Sequence, residues 1–147
     1  MTGGSRLRPT RDTGWAMSEE DLEIVRRSFD AWNEGDLGAV RDCYTEDVVI
    51  HTPITEFGRT FEGDDPLGRW VAEMRETWAE TSWAVERIFE GDGVIVSFYR
   101  SISTGRKSGI EVVRDLTAVF GIRDGLIASE RVFLDRDEAL EAAGLSE

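Results

Sequence analysis

The sequence predicts an α+β fold, with helices packed on one side of a curved antiparallel sheet. Three observations predict it: apolar residues recur at helical spacing in the first half of the chain, they alternate with polar residues in the second half, and no repeat or linker interrupts the chain. The 147 residues suffice for one domain with a substantial core. We expect that domain over residues 17–147.

The first 16 residues, "MTGGSRLRPTRDTGWA", differ from the rest of the chain. They are rich in Gly, Arg and Thr, show no amphipathic period and lack the apolar segment of a signal peptide. We predict a disordered leader over residues 1–16. Met17 is an alternative start, and a mis-assigned start explains this segment at least as well as a functional arm does.

Two helices are predicted next. Ser18 is a favourable N-cap followed by acidic residues, and Gly35 is suited to end the helix. The apolar face of this helix carries Leu22, Val25, Phe29 and Trp32. Asp36 then starts a short second helix, on which we place Leu37, Val40 and Tyr44.

A strand and a third helix complete the first half. The strand "DVVIHTP" covers residues 47–53 and ends at Pro53. Asp65 followed by Pro66 is typical of an N-cap and a first helical position. The third helix presents one apolar face, formed by Leu67, Trp70, Val71, Met74 and Trp78.

From Trp83 onward the pattern predicts strands. "WAVERIF" and "VIVSFYRSI" are joined by Gly91-Asp92-Gly93, which indicates a hairpin. "GIEVVRDLTAVFGI" and "LIASERVFLD" are joined by Asp124-Gly125, a strong signal for a two-residue turn. A short terminal helix is expected over residues 136–143.

The Asp124-Gly125 turn predicts a register for the last hairpin. Counting outward from an Arg123–Leu126 pair places Val119 opposite Glu130, Thr117 opposite Val132 and Asp115 opposite Leu134. Residues that oppose each other share a face, so Asp115, Thr117 and Glu130 would lie together. Arg114 would lie on the other face, where we expect an ion pair with Asp135. A bulge at Gly121 would shift this register.

Composition excludes several classes of partner. The net charge of −13 disfavours nucleic acid and anionic membranes, because both repel an acidic protein. No segment approaches the length of a transmembrane span. Cys43 is the single cysteine, which fits a reducing cytoplasm. His51 is the single histidine, so a zinc site with several His or Cys ligands is excluded. We expect no metal and no cofactor.

Three segments carry a family resemblance: "FDAWNEGDLGAV", "YTEDVVIHTP" and "IRDGLIASERVFLDRDEALEAAGL". They resemble the SnoaL-like proteins of the nuclear transport factor 2-like superfamily, which includes ketosteroid isomerases, polyketide cyclases and limonene epoxide hydrolases. The resemblance covers residues 18–145. It implies a cone-shaped α+β barrel with a deep pocket between the helices and the concave sheet, often dimeric through the sheet. These motifs are specific for the fold rather than for one activity.

The catalytic positions of the family are altered in this chain. The resemblance places the oxyanion tyrosine of the isomerases at Ser28, their base at Thr52 and their protonated aspartate at Thr117. The catalytic aspartate of the epoxide hydrolases falls at Val132. Ser and Thr hydroxyls are poor bases at neutral pH. Tyr44 matches a tyrosine that supports the pocket in the family.

Glu130 is the main catalytic candidate. A carboxylate facing an apolar pocket has its charged form destabilised, so its pKa should rise toward neutrality and suit proton exchange. A solvated glutamate at the pocket mouth, or one paired with an arginine, is an equal alternative. Tyr99 is the second candidate, as a hydrogen-bond donor to a ligand oxygen, although a core tyrosine is the commoner role.

The resemblance and the apolar pattern together give a set of pocket candidates. The resemblance turns Ser97, Tyr99 and Ser101 inward, and Val94, Val96 and Phe98 outward. Asp115 is either a second pocket acid or a carboxylate at the rim, and Thr52 and Thr117 either bind ligand or fill space. The ligand-pocket candidates are Ser28, Phe29, Trp32, Tyr44, Thr52, Trp70, Met74, Ser97, Asp115, Thr117 and Val132.

Three classes of function stay open at this point. The first is a pocket protein for a small-to-medium apolar ligand that performs cofactor-free proton transfer, as an isomerase or cyclase does. The second is a non-catalytic ligand-binding or dimerisation module. The third is a hydrolase of the epoxide-hydrolase type. In each class we expect a homodimer through the convex sheet face.

Overall fold

The structure is a computed structural model that describes residues 14–53 and 59–145. Its helices are Gly14–Glu34 (α1), Leu37–Arg41 (α2), Pro66–Thr77 (α3) and Arg136–Ala142 (α4). Its strands are Tyr44–Thr52 (β1), Arg59–Phe61 (β2), Trp78–Glu90 (β3), Ile95–Gly105 (β4), Glu111–Arg123 (β5) and Leu126–Phe133 (β6). Most of the predicted leader lies outside the described residues. None of the helices in the described part combines the length and hydrophobicity that crossing a bilayer requires.

The strands form one six-stranded sheet in the order β2-β1-β6-β5-β4-β3. The predicted α+β class is confirmed. The expectation of a wholly antiparallel sheet is wrong for one pair, because β1 and β6 run parallel while the other neighbours are antiparallel. β1 and β6 lie far apart in sequence, so no turn signal reports their relative direction.

The helix ends follow the capping signals, with one exception. The side chains of Asp36 and Asp65 accept hydrogen bonds from the first turns of α2 and α3, as predicted. Gly35 has a φ of +73°, which suits the residue after a helix. The predicted N-cap at Ser18 is wrong, because α1 begins at Gly14. Residues 15–17 contain no Gly or Pro to stop the helix.

The predicted turn at the last hairpin is confirmed, but the predicted register is wrong. Arg123 pairs with Leu126, and the two turn residues between them have positive φ angles, as a type I′ turn requires. Ile122 then pairs with Ile127 and Gly121 with Ser129, which leaves Ala128 as an extra residue. This bulge shifts every later pair by one, so that Glu130 lies opposite Phe120 instead of Val119.

Two apolar cores lie on opposite faces of the sheet. The larger core joins the inner face to α1, α2 and α3, and includes Val25, Phe29, Val40, Ile50, Leu67, Tyr99, Leu116, Phe120, Ile127 and Val132. The smaller core lies under α4 on the outer face, and includes Val96, Phe98, Val119, Ala139 and Ala143. The outward direction predicted for Val96 and Phe98 agrees with this packing.

The outer face is only partly covered by α4. Farther along the same face Arg100 pairs with the exposed Asp115 at 2.9 Å, and Val113 is 51% exposed. Asp135 does not pair with Arg114 as expected. It caps α4 instead, by accepting hydrogen bonds from the backbone N–H groups of the first turn. The structure contains a single chain, so a homodimer through this face stays a prediction.

Candidate functional site

A cavity of about 320 Å³ lies between the helices and the inner face of the sheet. Asn33 of α1 fixes one side of it by exchanging two hydrogen bonds of 2.8 Å with the backbone of Trp83 in β3. Eight of the predicted site residues line this cavity: Phe29, Trp32, Thr52, Trp70, Met74, Tyr99, Glu130 and Val132. A second cavity of about 550 Å³ shares Trp32, Met74, Trp78, Thr81 and Trp83 with it.

Glu130 lies in the cavity wall with its side chain almost entirely buried, since only 5% of the residue is exposed. Its carboxylate oxygen Oε1 accepts a hydrogen bond of 2.6 Å from the Tyr44 hydroxyl. Burial raises the pKa of Glu130 from 4.5 to about 7, although the Tyr44 hydrogen bond opposes the rise. No arginine in the described part of the chain forms an ion pair with it. Glu130 is therefore poised to gain or lose a proton near neutral pH.

Tyr44 supports Glu130 from behind the cavity. It starts β1 rather than lying on α2, which corrects the helical placement predicted from sequence. Its oxygen also accepts a hydrogen bond of 3.1 Å from the Trp32 indole N–H. Burial and the neighbouring Glu130 raise the pKa of Tyr44 well above its usual value, so the phenol stays protonated and donates. The chain from Trp32 through Tyr44 to Glu130 fixes the direction in which the carboxylate points.

Tyr99 faces the same cavity from β4. Its ring packs edge-on against Phe29 with centroids 5.0 Å apart. Burial, with a smaller contribution from Glu130, raises the pKa of Tyr99 well above 10, so its hydroxyl is a donor at any physiological pH. Among the residues that the structure describes, no hydrogen-bond partner of this hydroxyl is found. It is thus available to a ligand oxygen.

Two predicted pocket residues lie on the wrong side of the sheet for that role. The bulge in β6 turns Leu116 and Ala118 of β5 inward, and Thr117 and Asp115 outward. Thr117 is buried in the outer face beside Phe98 and Phe133. The Asp115 side chain is 71% exposed. Their predicted places in the pocket are therefore wrong.

Two further predicted residues lie behind the cavity wall. Ser28 is buried and donates a hydrogen bond of 2.6 Å to the Val25 carbonyl oxygen one helical turn earlier. Its hydroxyl is thus engaged within α1. Ser97 is fully buried on the inner-face side of β4, and its hydroxyl has no hydrogen-bond partner in the described part of the chain. Neither residue lines the cavity.

The sequence interpretation missed a charged residue of the cavity. Arg114 lines the cavity from β5, whereas the counted register placed it on the outer face. The signal that could have found it is Gly121, because a glycine inside a strand is typical of a bulge. Further lining residues outside the predicted set are Phe61, Glu73, Thr77, Trp78, Thr81, Trp83, Ser101, Ser103 and Leu116.

The described residues contain no cluster of three or more His, Cys, Asp or Glu side chains that could hold a metal ion. What they do provide is one buried carboxylate that titrates near neutrality, with a phenol that orients it and a second phenol at the cavity surface. Such a set can take a proton from a bound molecule, return it, and donate a hydrogen bond to an oxygen on which charge develops.

Tyr44→Phe is expected to raise the pKa of Glu130 above about 7, by about one unit, because the ionised carboxylate loses a charge-assisted hydrogen bond. The measurement is a carbon NMR titration of the Glu130 carboxyl. Tyr99→Phe is the matched control, since it removes a cavity phenol that does not bond to Glu130. A fall in the pKa of Glu130 in Tyr44→Phe would contradict the assigned role of Tyr44.

Comparison with known proteins gives one family match, to the model of the SnoaL-like domain, over residues 25–130. No curated protein matches the chain. Similar solved structures include an NTF2-like protein of unknown function from Burkholderia pseudomallei. It has 20% sequence identity and a TM-score of 0.71, and the match covers 84% of this chain and 97% of that one.

Two further solved structures share the fold and carry small molecules. TerC, co-crystallised with polyporic acid, has 16% identity and a TM-score of 0.70, with 84% of this chain and 97% of that chain covered. A hypothetical protein with a ketosteroid isomerase-like fold from Catenulispora acidiphila, in complex with trimethylamine, has 15% identity and a TM-score of 0.67. That match covers 84% of this chain and 93% of the other. At these identities the likeness establishes the cone-shaped α+β barrel and nothing finer.

Proposed function

The chain belongs to the SnoaL-like domain family, and from that premise we propose that its cavity binds a small ligand with an apolar body and catalyses cofactor-free proton transfer beside a carbonyl group. Glu130 is the acid–base in this proposal. The observation that carries it is a buried carboxylate with a pKa of about 7 in the wall of a largely apolar cavity.

The proton transfer uses two groups of the cavity. Ionised Glu130 removes a proton from the carbon next to the carbonyl, and the electron pair of that C–H bond moves onto the carbonyl oxygen as an enolate. The Tyr99 hydroxyl donates a hydrogen bond to that oxygen as the negative charge develops. Protonated Glu130 then returns the proton, to the same carbon or to another carbon of the enolate. Tyr44 keeps the carboxylate oriented throughout.

The comparisons support a small-molecule ligand for this fold. TerC was crystallised with polyporic acid, and the Catenulispora protein with trimethylamine. The aromatic side chains around the cavity of this chain suit a flat apolar body, because aromatic rings pack edge-on or offset against one another.

The test is exchange of the α-hydrogens of β-tetralone, an aromatic ketone, for deuterium in D2O, followed by proton NMR. We expect exchange above the buffer rate, rising with pH and half-maximal near pH 7, because the reaction needs ionised Glu130. Exchange no faster than in buffer, or a rate independent of pH between about 5 and about 9, would contradict the proposal.

A non-catalytic binding protein is the second candidate, and one observation favours it. At the positions where the family carries catalytic groups, Ser28 is engaged in its own helix, Thr117 faces outward and Val132 is apolar. Binding of β-tetralone in calorimetry without any exchange would identify this class. The hydrolase alternative lacks comparable support, because no arginine in the described part of the chain pairs with Glu130.

A further inference from the structure

Arg114 places a positive charge in a cavity that is otherwise mostly apolar. Its guanidinium carbon lies 5.7 Å from the centre of the Trp78 ring, which is also part of the cavity wall. The side chain is half-buried, and among residues 14–53 and 59–145 no carboxylate forms an ion pair with it. The Arg100–Asp115 pair lies on the outer face of the sheet, away from this site.

The neighbours of Arg114 add polar character without neutralising it. Ser101 lies directly opposite Arg114 in the β4–β5 ladder, and both residues line the cavity. Opposed residues on one face have Cβ atoms about 5 Å apart, so a single ligand group can contact both. Glu73 also lines the cavity, but it pairs with Arg59 at 2.9 Å and its charge is already compensated.

Arg114 and Glu130 line the same cavity from separate positions along the sheet. Glu130 pairs with Phe120 in the β5–β6 ladder, and Phe120 is six residues from Arg114 along β5. That separation corresponds to roughly 20 Å of strand. A ligand group that contacts the guanidinium is therefore remote from the group that contacts Glu130.

We propose that Arg114, with Trp78 and Ser101, forms a binding subsite for an anionic oxygen group. The ligand is then an apolar or aromatic molecule that carries a carboxylate, or an ionised enol or phenol, at the end remote from Glu130. This inference rests on the proposed function and specifies its substrate class. Arginine suits the role because its planar fork donates two parallel hydrogen bonds to a carboxylate and stays charged while it stacks on an aromatic ring. A neutral oxygen gains less from these donors than an anionic one, because hydrogen bonds between oppositely charged groups are the stronger.

The test compares two probes of the same skeleton by isothermal titration calorimetry: 2-naphthoate, which is anionic, and methyl 2-naphthoate, which is neutral. In Arg114→Gln we expect the dissociation constant of 2-naphthoate to rise about tenfold or more, and that of the ester to change by less than about twofold. Arg114→Lys keeps the positive charge but loses the two parallel hydrogen bonds of the guanidinium. Its dissociation constant for 2-naphthoate should therefore lie between those of the unmodified protein and Arg114→Gln. Arg100→Gln, on the neighbouring strand but on the outer face, is the matched control and should change neither.

Three results would overturn the proposed subsite: no binding of 2-naphthoate to the unmodified protein, an unchanged affinity for it in Arg114→Gln, or an equal loss of affinity for both probes in that variant. An equal loss of affinity would mean that Arg114 maintains the shape of the cavity and does not bind the anionic group. These outcomes are independent of the proton-transfer assay. The subsite proposal can be wrong while β-tetralone exchange is still observed. Conversely, exchange can be absent while the affinity for 2-naphthoate still depends on Arg114.

Discussion

Glu130→Gln is expected to lower the β-tetralone exchange rate by about a hundredfold or more, to near the buffer rate. The glutamine keeps the length and shape of the side chain, and its carbonyl oxygen can still accept the hydrogen bond from Tyr44. What it loses is the basic carboxylate, because an amide does not take up a proton at neutral pH. The substitution therefore removes the proton acceptor, while the cavity keeps its shape and the two tyrosine hydroxyls keep their positions.

Two variants make this result specific. Glu46→Gln changes an exposed glutamate of β1 and should leave the exchange rate unchanged. Glu130→Asp keeps an acid but withdraws it from the cavity by one methylene, and should retain part of the activity. Undiminished exchange in Glu130→Gln, with a melting temperature that shows the variant folded, would remove Glu130 from the reaction and leave the cavity in the binding class.

The inward direction of Glu130 could be predicted from sequence, but the unbroken alternation on which that prediction rests is only partly correct. The alternation of β6 puts Glu130 on the face of Val132, and both line the cavity. The same alternation also groups Ala128 with Glu130 and sets Ile127 apart. In the structure Ile127 belongs to the inner core, and the extra residue at Ala128 lets it share a side with Glu130. Local alternation survives on either side of a bulge and fails across it.

The residues opposite Glu130 could not be placed by counting alone. One extra residue in β6 reverses the faces assigned to all of β5, which exchanges Asp115 and Thr117 for Arg114 and Leu116 in the cavity. Gly121 marked the position where this could happen, yet a glycine does not say whether a bulge forms. β6 also pairs with β1, a contact between residues at least 80 positions apart in sequence that no local pattern reports.

Tyr44 illustrates the same limit at longer range. Its sequence position, just after α2, suggested a helical residue that supports the pocket. Its actual contact with Glu130 spans 86 residues and exists because β1 and β6 pair in parallel. Helix caps and hairpin turns are set by neighbours in sequence, so they were predictable, whereas the polar contacts of the site come from strand pairing that no local pattern encodes.

Glu130 is also expected to make stability fall as the pH rises, and Glu130→Gln should abolish that contribution. In the folded protein the pKa of Glu130 is about 7, against 4.5 for the unperturbed group. Between these values the folded state holds a proton that the unfolded state has released, so the free energy of unfolding decreases as the pH increases. The contribution is fully present below about pH 4.5 and lost above about pH 7. At about 1.4 kcal/mol per pKa unit, it amounts to about 3 kcal/mol.

The measurement is urea unfolding of the unmodified protein and of Glu130→Gln at about pH 4.5 and about pH 8. Other titrating groups act on both proteins alike, so the difference between their unfolding free energies isolates Glu130. Between the two pH values, we expect the free energy of unfolding of Glu130→Gln to rise by about 3 kcal/mol relative to that of the unmodified protein. The free energy of unfolding of Glu46→Gln should not change relative to it. A difference that does not change with pH would mean that Glu130 is ionised at no cost, and a base held at that low pKa would be too weak for the proposed reaction. The stability lost as the pH rises from about 4.5 to about 7 is thus the physical counterpart of basicity in the cavity, since burial of the carboxylate produces both.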